Sequence, residues 1–176
     1  NSIKNCFEEI ADMDEHCERL VSNYSKKFPS VLENDVPSES NGFESIINMC
    51  AKVLGIGSSK EFEDLALNTN MNSGIQVDMK LVNIDGINYL DYRKTVQSIM
   101  SYKMADVDNV TLVYSFYESL SEFVCNYANE IANETKAKDI VLCGNMFANS
   151  VLLSKTIKTL SKNYNVILPK EYPLDY

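Results

Sequence analysis

Ile140-Val141-Leu142-Cys143-Gly144-Asn145-Met146-Phe147-Ala148-Asn149, followed by Ser150 to Ser161 and then by Tyr164-Asn165-Val166-Ile167-Leu168, decides the fold class. The first four residues form a short apolar run of the kind found in buried strands. Gly144-Asn145 breaks it. A helical pattern covers Asn149 to Ser161, and Asn165 to Leu168 makes a second apolar run. Strand, tight turn, helix and strand in that order predict a β-α-β unit with a parallel sheet over 139–169. Ligands in such sheets sit beyond the carboxyl ends of the strands, which is where the Cys143–Asn149 turn falls. A glycine after a buried strand lets a ligand approach the backbone. The N-terminus of the next helix points at the same place, and its N–H groups favour an anionic or polar ligand. Asn149 either caps that helix or donates to a ligand.

Upstream of this unit the chain reads as mostly helical. A 3.6-residue apolar period through Ile3, Phe7, Ile10, Cys17 and Tyr24 predicts one amphipathic helix over 2–27. Phe28-Pro29 ends it, and 29–42 reads as a loop. Helices are expected over 43–54, stopped by Gly55, and over 60–69. Ile75, Val77, Met79 and Leu81 alternate with Gln76, Asp78 and Lys80, as in a half-buried strand. Asp85-Gly86 predicts a hairpin turn. Asp91 and Asp108 are candidate caps for helices reaching Met104 and about residue 134. The division is an N-terminal helix and connecting loop over 1–42, and an α/β unit over 43–176.

Composition excludes several classes. The chain has 176 residues, 45% hydrophobic and 23% charged, which suits one domain or one lobe rather than a disordered segment. With 25 acidic and 16 basic side chains the formal charge is −9, which disfavours binding to a nucleic-acid backbone. Cys6, Cys17, Cys50, Cys125 and Cys143 form no CxxC pair and read as reduced, mostly buried thiols of a cytoplasmic protein. No apolar run is long enough to span a membrane. The single histidine, His16, lies among Asp12, Asp14, Glu15 and Glu18 and reads as part of a solvated polar face. The chain begins without Met and stops at Tyr176, so both ends read as cut from a longer protein.

Residues 140–160 resemble the strand–GGVFQN–LL–helix block of the nickel–iron hydrogenase maturation carbamoyltransferases, the HypF family, with Gly144, Phe147, Asn149, Leu152 and Leu153 matching. Tyr172-Pro173-Leu174-Asp175 resembles the start of that family's PPNDGG metal motif. Asn48 to Ile56 is similar to its FDAVAALLGL helix, and Glu61 to Ala66 to its LEALA helix. The resemblance spans roughly 44–176. It implies an actin/sugar-kinase-type (ASKHA) fold, of which this chain is most of the second lobe. It also implies a parent enzyme that uses ATP and carbamoyl phosphate, by way of carbamoyl-adenylate, to carbamoylate the C-terminal cysteine of a HypE-type partner. The chain alone is expected to be inactive. Gly144 and Asn149 match residues that hold the adenylate, and Asp175 matches a ligand to a divalent metal. Asn145 replaces the second glycine of the pair, so a side chain there either narrows the cleft or sits at positive φ. The family's GRLFD block is here Glu44-Ser45-Ile46-Ile47-Asn48, without its Gly, Arg or Asp. Two other readings compete: a degenerate lobe that only binds protein, and another carbamoyl- or phosphoryl-transfer enzyme of the same fold.

Overall fold

The computed structural model describes residues 2–33 and 42–169. In chain order the elements are α1 (Ile3–Ala11), α2 (Glu15–Lys27), α3 (Ser30–Glu33), α4 (Phe43–Leu54), α5 (Ser59–Leu67), β1 (Leu81–Ile84), β2 (Ile87–Leu90), α6 (Tyr92–Met104), α7 (Asn109–Thr135), β3 (Asp139–Val141), α8 (Ser150–Leu160) and β4 (Asn165–Ile167). A 3-10 turn, Asn145–Ala148, sits between β3 and α8.

Side-chain caps set most helix starts. Ser2, Asp14, Ser58 and Asp108 each accept the N–H three residues on, at 3.0, 2.8, 3.1 and 2.9 Å. Such caps contribute about 1 kcal/mol each, because they satisfy amides that the helix itself leaves unpaired. Asp14 also explains a departure from the sequence reading. The apolar period runs unbroken through Met13, but Asp14 adopts an extended backbone and starts a new helix, so 2–27 is two helices rather than one. Gly55 ends α4 in the left-handed conformation at φ 70°, as expected.

The core is helical. Ile3, Phe7 and Ile10 of α1, Tyr24 of α2, Cys50 and Val53 of α4, Phe62 of α5, Ile99 of α6 and Phe116 of α7 belong to one buried cluster. Phe62 meets Phe116 edge-on with ring centroids 5.3 Å apart. Each such ring contributes about 1.5–3 kcal/mol by leaving water. The Tyr24 hydroxyl, fully buried, donates to the Val53 carbonyl. Burial pushes the Cys6 thiol up to about 12, and four of the five cysteines are buried and unpaired, with Cys143 exposed.

The alternating segment 75–80 forms no strand. Its alternation is real: Val77 is fully buried while Gln76 and Asp78 face out. Its partner, however, is a helix. Ser115 and Ser119, one turn apart on α7, accept the Ile75 and Val77 N–H groups at 2.9 Å each. Glu118 takes the Gly74 N–H at 2.5 Å, and Ser98 of α6 takes that of Asp78 at 3.2 Å. The Tyr102 hydroxyl donates to the Gln76 carbonyl. Side chains thus do the work of a neighbouring strand. The strap leads into the β1–β2 hairpin, whose antiparallel register pairs Ile84 with Ile87 around Asp85-Gly86, both at positive φ.

At the C-terminal end β3 and β4 pair in parallel, Ile140 opposite Val166, with α8 between them in sequence. This is the expected β-α-β unit. Leu142, Cys125 and Leu160 form a small core beneath it, with Ile140 and Val166 packed on them. Val141 and Ile167 point the other way and are 57% and 41% exposed. Among the described residues no helix is long and apolar enough to cross a membrane.

Two outcomes follow from these contacts. A Cβ at Gly74 would lie 2.4 Å from Ser115 Oγ and 2.9 Å from Ser115 Cα. Gly74→Ala should therefore lower stability by about 1–3 kcal/mol in urea unfolding, the usual effect of overpacking. The Thr111 amide and hydroxyl hold the Asp108 carboxyl below its ordinary value of 3.8. A lowered folded value stabilises above the unfolded one and is lost as pH falls through it. Asp108→Asn keeps a capping oxygen but cannot titrate. The wild type should therefore gain on this variant above about pH 4 and lose that advantage in more acidic solution, followed by thermal melting against pH.

Candidate functional site

The turn singled out in the sequence is held between β3 and α8. Gly144 has φ 108° and ψ 151°, a backbone that side-chain-bearing residues rarely adopt, and the space where its Cβ would lie is open to 4 Å. Asn145 is not at positive φ. It opens the 3-10 turn, and its exposed side chain lies on the wall of a cleft. Of the two expectations for Asn145, a positive φ is not the one adopted.

That cleft has a volume of about 430 Å³, within the range of small-molecule sites. The start of α4 contributes Phe43, Glu44 and Ile47; α5 contributes Ser59, Lys60 and Glu63; α7 contributes Tyr117. Asn145, Met146 and Ala148 close it from the turn. Three sequence-distant segments thus meet the turn, and the altered 44–48 block is one of them.

Asn149 stands behind this wall. It is 1% exposed. Its Oδ1 accepts the Val151 and Leu152 N–H groups at 3.0 and 3.1 Å, so it is the cap of α8. Two of the helix N–H groups expected to favour an anion are therefore already satisfied from within the chain. The Asn149 Nδ2 donates to Glu63 Oε1 at 3.3 Å, which ties the turn to α5. Glu63, Lys60, Glu44 and Tyr117 were not among the residues that the sequence marked as a site. Glu44 and Glu63 fall in blocks that correspond to the family's GRLFD and LEALA segments, but neither block assigns them a site role, and all four join the cleft through helix packing.

Burial, and after it the Glu63 carboxylate, raises the Tyr117 phenol well above its ordinary value, so Tyr117 stays neutral and is no base. Two carboxylates, one ammonium and one amide line the cleft. His16 is exposed on α2, as a solvated face requires. Among the described residues no three His, Cys, Asp or Glu side chains gather as a metal site. Asp175 lies outside the described residues.

A family model described as "Carbamoyltransferase, Kae1-like Domain, second subdomain" matches residues 43–175. The chain belongs to this family. Protein HydE of Wolinella succinogenes is 26% identical over 182 residues, covering 97% of this chain, which spans 33% of the relative's length. In structure the chain is similar to full-length HypF in a phosphate- and nucleotide-bound form (TM-score 0.67, 20% identity, 98% of this chain and 22% of that one). It is also similar to T. kodakarensis HypF (TM-score 0.63, 17% identity, 85% of this chain and 20% of that one). The fold is thus the helix-rich α/β second subdomain of a Kae1-like carbamoyltransferase domain, the ASKHA-type second lobe expected from the resemblance.

Because Asn149 caps a helix from a buried position, Asn149→Ala should destabilise the chain by about 1–2 kcal/mol, read from the urea midpoint. Asn149→Ser keeps a capping oxygen and should recover most of that loss.

Proposed function

We propose that this chain carries the nucleotide side of a carbamoyl-transfer site. In this reading a longer protein uses ATP and carbamoyl phosphate to form carbamoyl-adenylate. It then passes the carbamoyl group to the C-terminal cysteine of a HypE-type partner during nickel–iron hydrogenase maturation. The observation that carries the reading is Gly144. Its φ of 108° and the open space at its Cβ position leave bare backbone at the end of a parallel strand, beside a cleft of about 430 Å³. A nucleotide can approach such a backbone closely, and any side chain there would both strain the turn and fill the approach. The family membership of residues 43–175 supports the same class of chemistry.

The chain's own residues then bind and orient. Gly144 gives the ligand its path. Asn145 narrows the cleft beside it, and Asn149 fixes the turn by capping α8. Asp175 is the residue that would contribute to a divalent metal, whose chemistry is to polarise a phosphoryl or carbamoyl oxygen. Among the described residues no three such side chains gather as a metal site. One face of the β3–β4 ribbon, with Val141 and Ile167, is exposed among the described residues and suits cover by a further layer of a two-lobed domain.

A binding-only lobe is the second reading. The Asn145 side chain on the cleft wall and the two carboxylates, Glu44 and Glu63, favour it. One titration separates the two. Adding AMP to the 15N-labelled chain should shift the amides of Gly144, Asn145 and Glu63. Gly144→Ala should weaken that binding on the order of tenfold, equivalent to about 1.4 kcal/mol, while circular dichroism stays helical. Amides that do not move at saturating AMP would leave the binding-only lobe.

A further inference from the structure

We propose that Glu63 is a ligand-contacting acceptor of the cleft and that Asn149 is its positioning residue, so that the group bound against Glu63 is a hydrogen-bond donor, an amide NH2 or a hydroxyl. This rests on the cleft being the nucleotide-side site proposed above.

A carbonyl oxygen has two lone pairs. In Asn149 both are taken, by the Val151 and Leu152 N–H groups. The residue is 1% exposed and contributes no atom to the cleft wall. It therefore cannot offer an acceptor to a ligand, and its cap fixes which way the amide faces. Its Nδ2 is turned to Glu63 Oε1. What reaches the cleft is the Glu63 carboxylate itself, half-buried and part of the lining. Asn149 takes one lone pair of Oε1, so the carboxylate keeps further lone pairs for a ligand. A carboxylate accepts and does not donate, so its counterpart must carry a proton.

Charge points the same way. Glu44 lies on the same cleft, and Lys60, three residues before Glu63 on α5, is its single ammonium among the described residues. A phosphate set against two carboxylates meets like charge in a half-enclosed site. The phosphate end of a ligand therefore lies away from Glu44 and Glu63, and its donor-bearing end lies toward them. An amide NH2 would come from a carbamoyl group, and a hydroxyl from the sugar of a nucleoside. Both present the same chemistry to Glu63.

Paired probes distinguish the two sources. Carbamoyl phosphate and acetyl phosphate differ by NH2 against CH3, and adenosine and 2′,3′-dideoxyadenosine by the hydroxyls alone. Each is titrated into the 15N-labelled chain as wild type, Glu63→Ala and Glu63→Gln. The wild type should prefer the donor-bearing member of one pair by about tenfold, as expected for one hydrogen bond to a charged group, and that pair identifies the source. Glu63→Ala should erase the preference. Glu63→Gln, whose carbonyl still accepts, should retain part of it. In Glu63→Ala the Asn149 side-chain NH2 resonances should shift and exchange faster, while the Val151 and Leu152 amides stay protected. Equal binding of both members of each pair by the wild type, with shifts still at Gly144 and Asn145, would overturn the role of Glu63 and leave the nucleotide-side reading standing. No binding of any of the four probes would overturn that reading and this proposal with it.

Discussion

Helix α7 is the constraint on which the remaining structure depends. Its 27 residues make a rod about 40 Å long, and α5, α6, α8 and the strap pack on its faces. Phe116 and Tyr117 meet Phe62 of α5. Ser115, Glu118 and Ser119 hold the strap. The Ser121 hydroxyl meets that of Thr156, and the Cys125 thiol donates to the Thr156 carbonyl, both deep in the contact with α8. Lys155 of α8 closes the arrangement. Its ammonium lies 2.5 Å from Glu118, donates to the Asn72 carbonyl and sits over the Tyr114 ring. The helix that packs the core is therefore also the helix that orients α8, and α8 carries the capped turn.

The cleft inherits its character from that arrangement. α5 is docked on α7 by aromatic rings, which sets Glu63 and Lys60 against the turn. α8 is docked on the next turns of α7, which sets Asn149 behind Glu63. Neither helix approaches the turn independently. The distance between the Glu63 carboxylate and the Asn149 amide is therefore a property of how two helices seat on one rod. In electrostatic terms the wall is acidic, with Lys60 alone among the described residues to offset it, and Tyr117 contributes a neutral hydroxyl.

The sequence made some of this legible and hid the rest for identifiable reasons. The Asp85-Gly86 turn, the Gly55 stop and the Asp91 and Asp108 caps depend on residues within a few positions of one another, and the β-α-β unit on three segments consecutive in the chain; all formed as read. The break at Asp14 was hidden because the apolar period continues across it, although an aspartate three residues before Cys17 is itself a cap pattern. The segment 75–80 was misread because alternation reports burial on one side and says nothing of what pairs with the backbone. Its partners are serines about 40 positions later, on a helix. In the cleft, Gly144 was visible through its neighbours in sequence, and Asn149 through its place before a helix. Glu63 belongs to the site only because α5 folds back onto the turn, and no spacing in the chain encodes that.

The strap also carries a dependence. An amide that pairs with another strand keeps its partner as long as two extended segments stay together. The amides of Ile75 and Val77 keep theirs only while Ser115 and Ser119 stand one turn apart on an intact helix, and that of Asp78 only while Ser98 is held on another. The docked segment is thus a gauge of how α6 and α7 are wound, because opening of either helix takes away its acceptors. The β1–β2 hairpin, joined through Lys80 to Asp91, begins where that gauge ends.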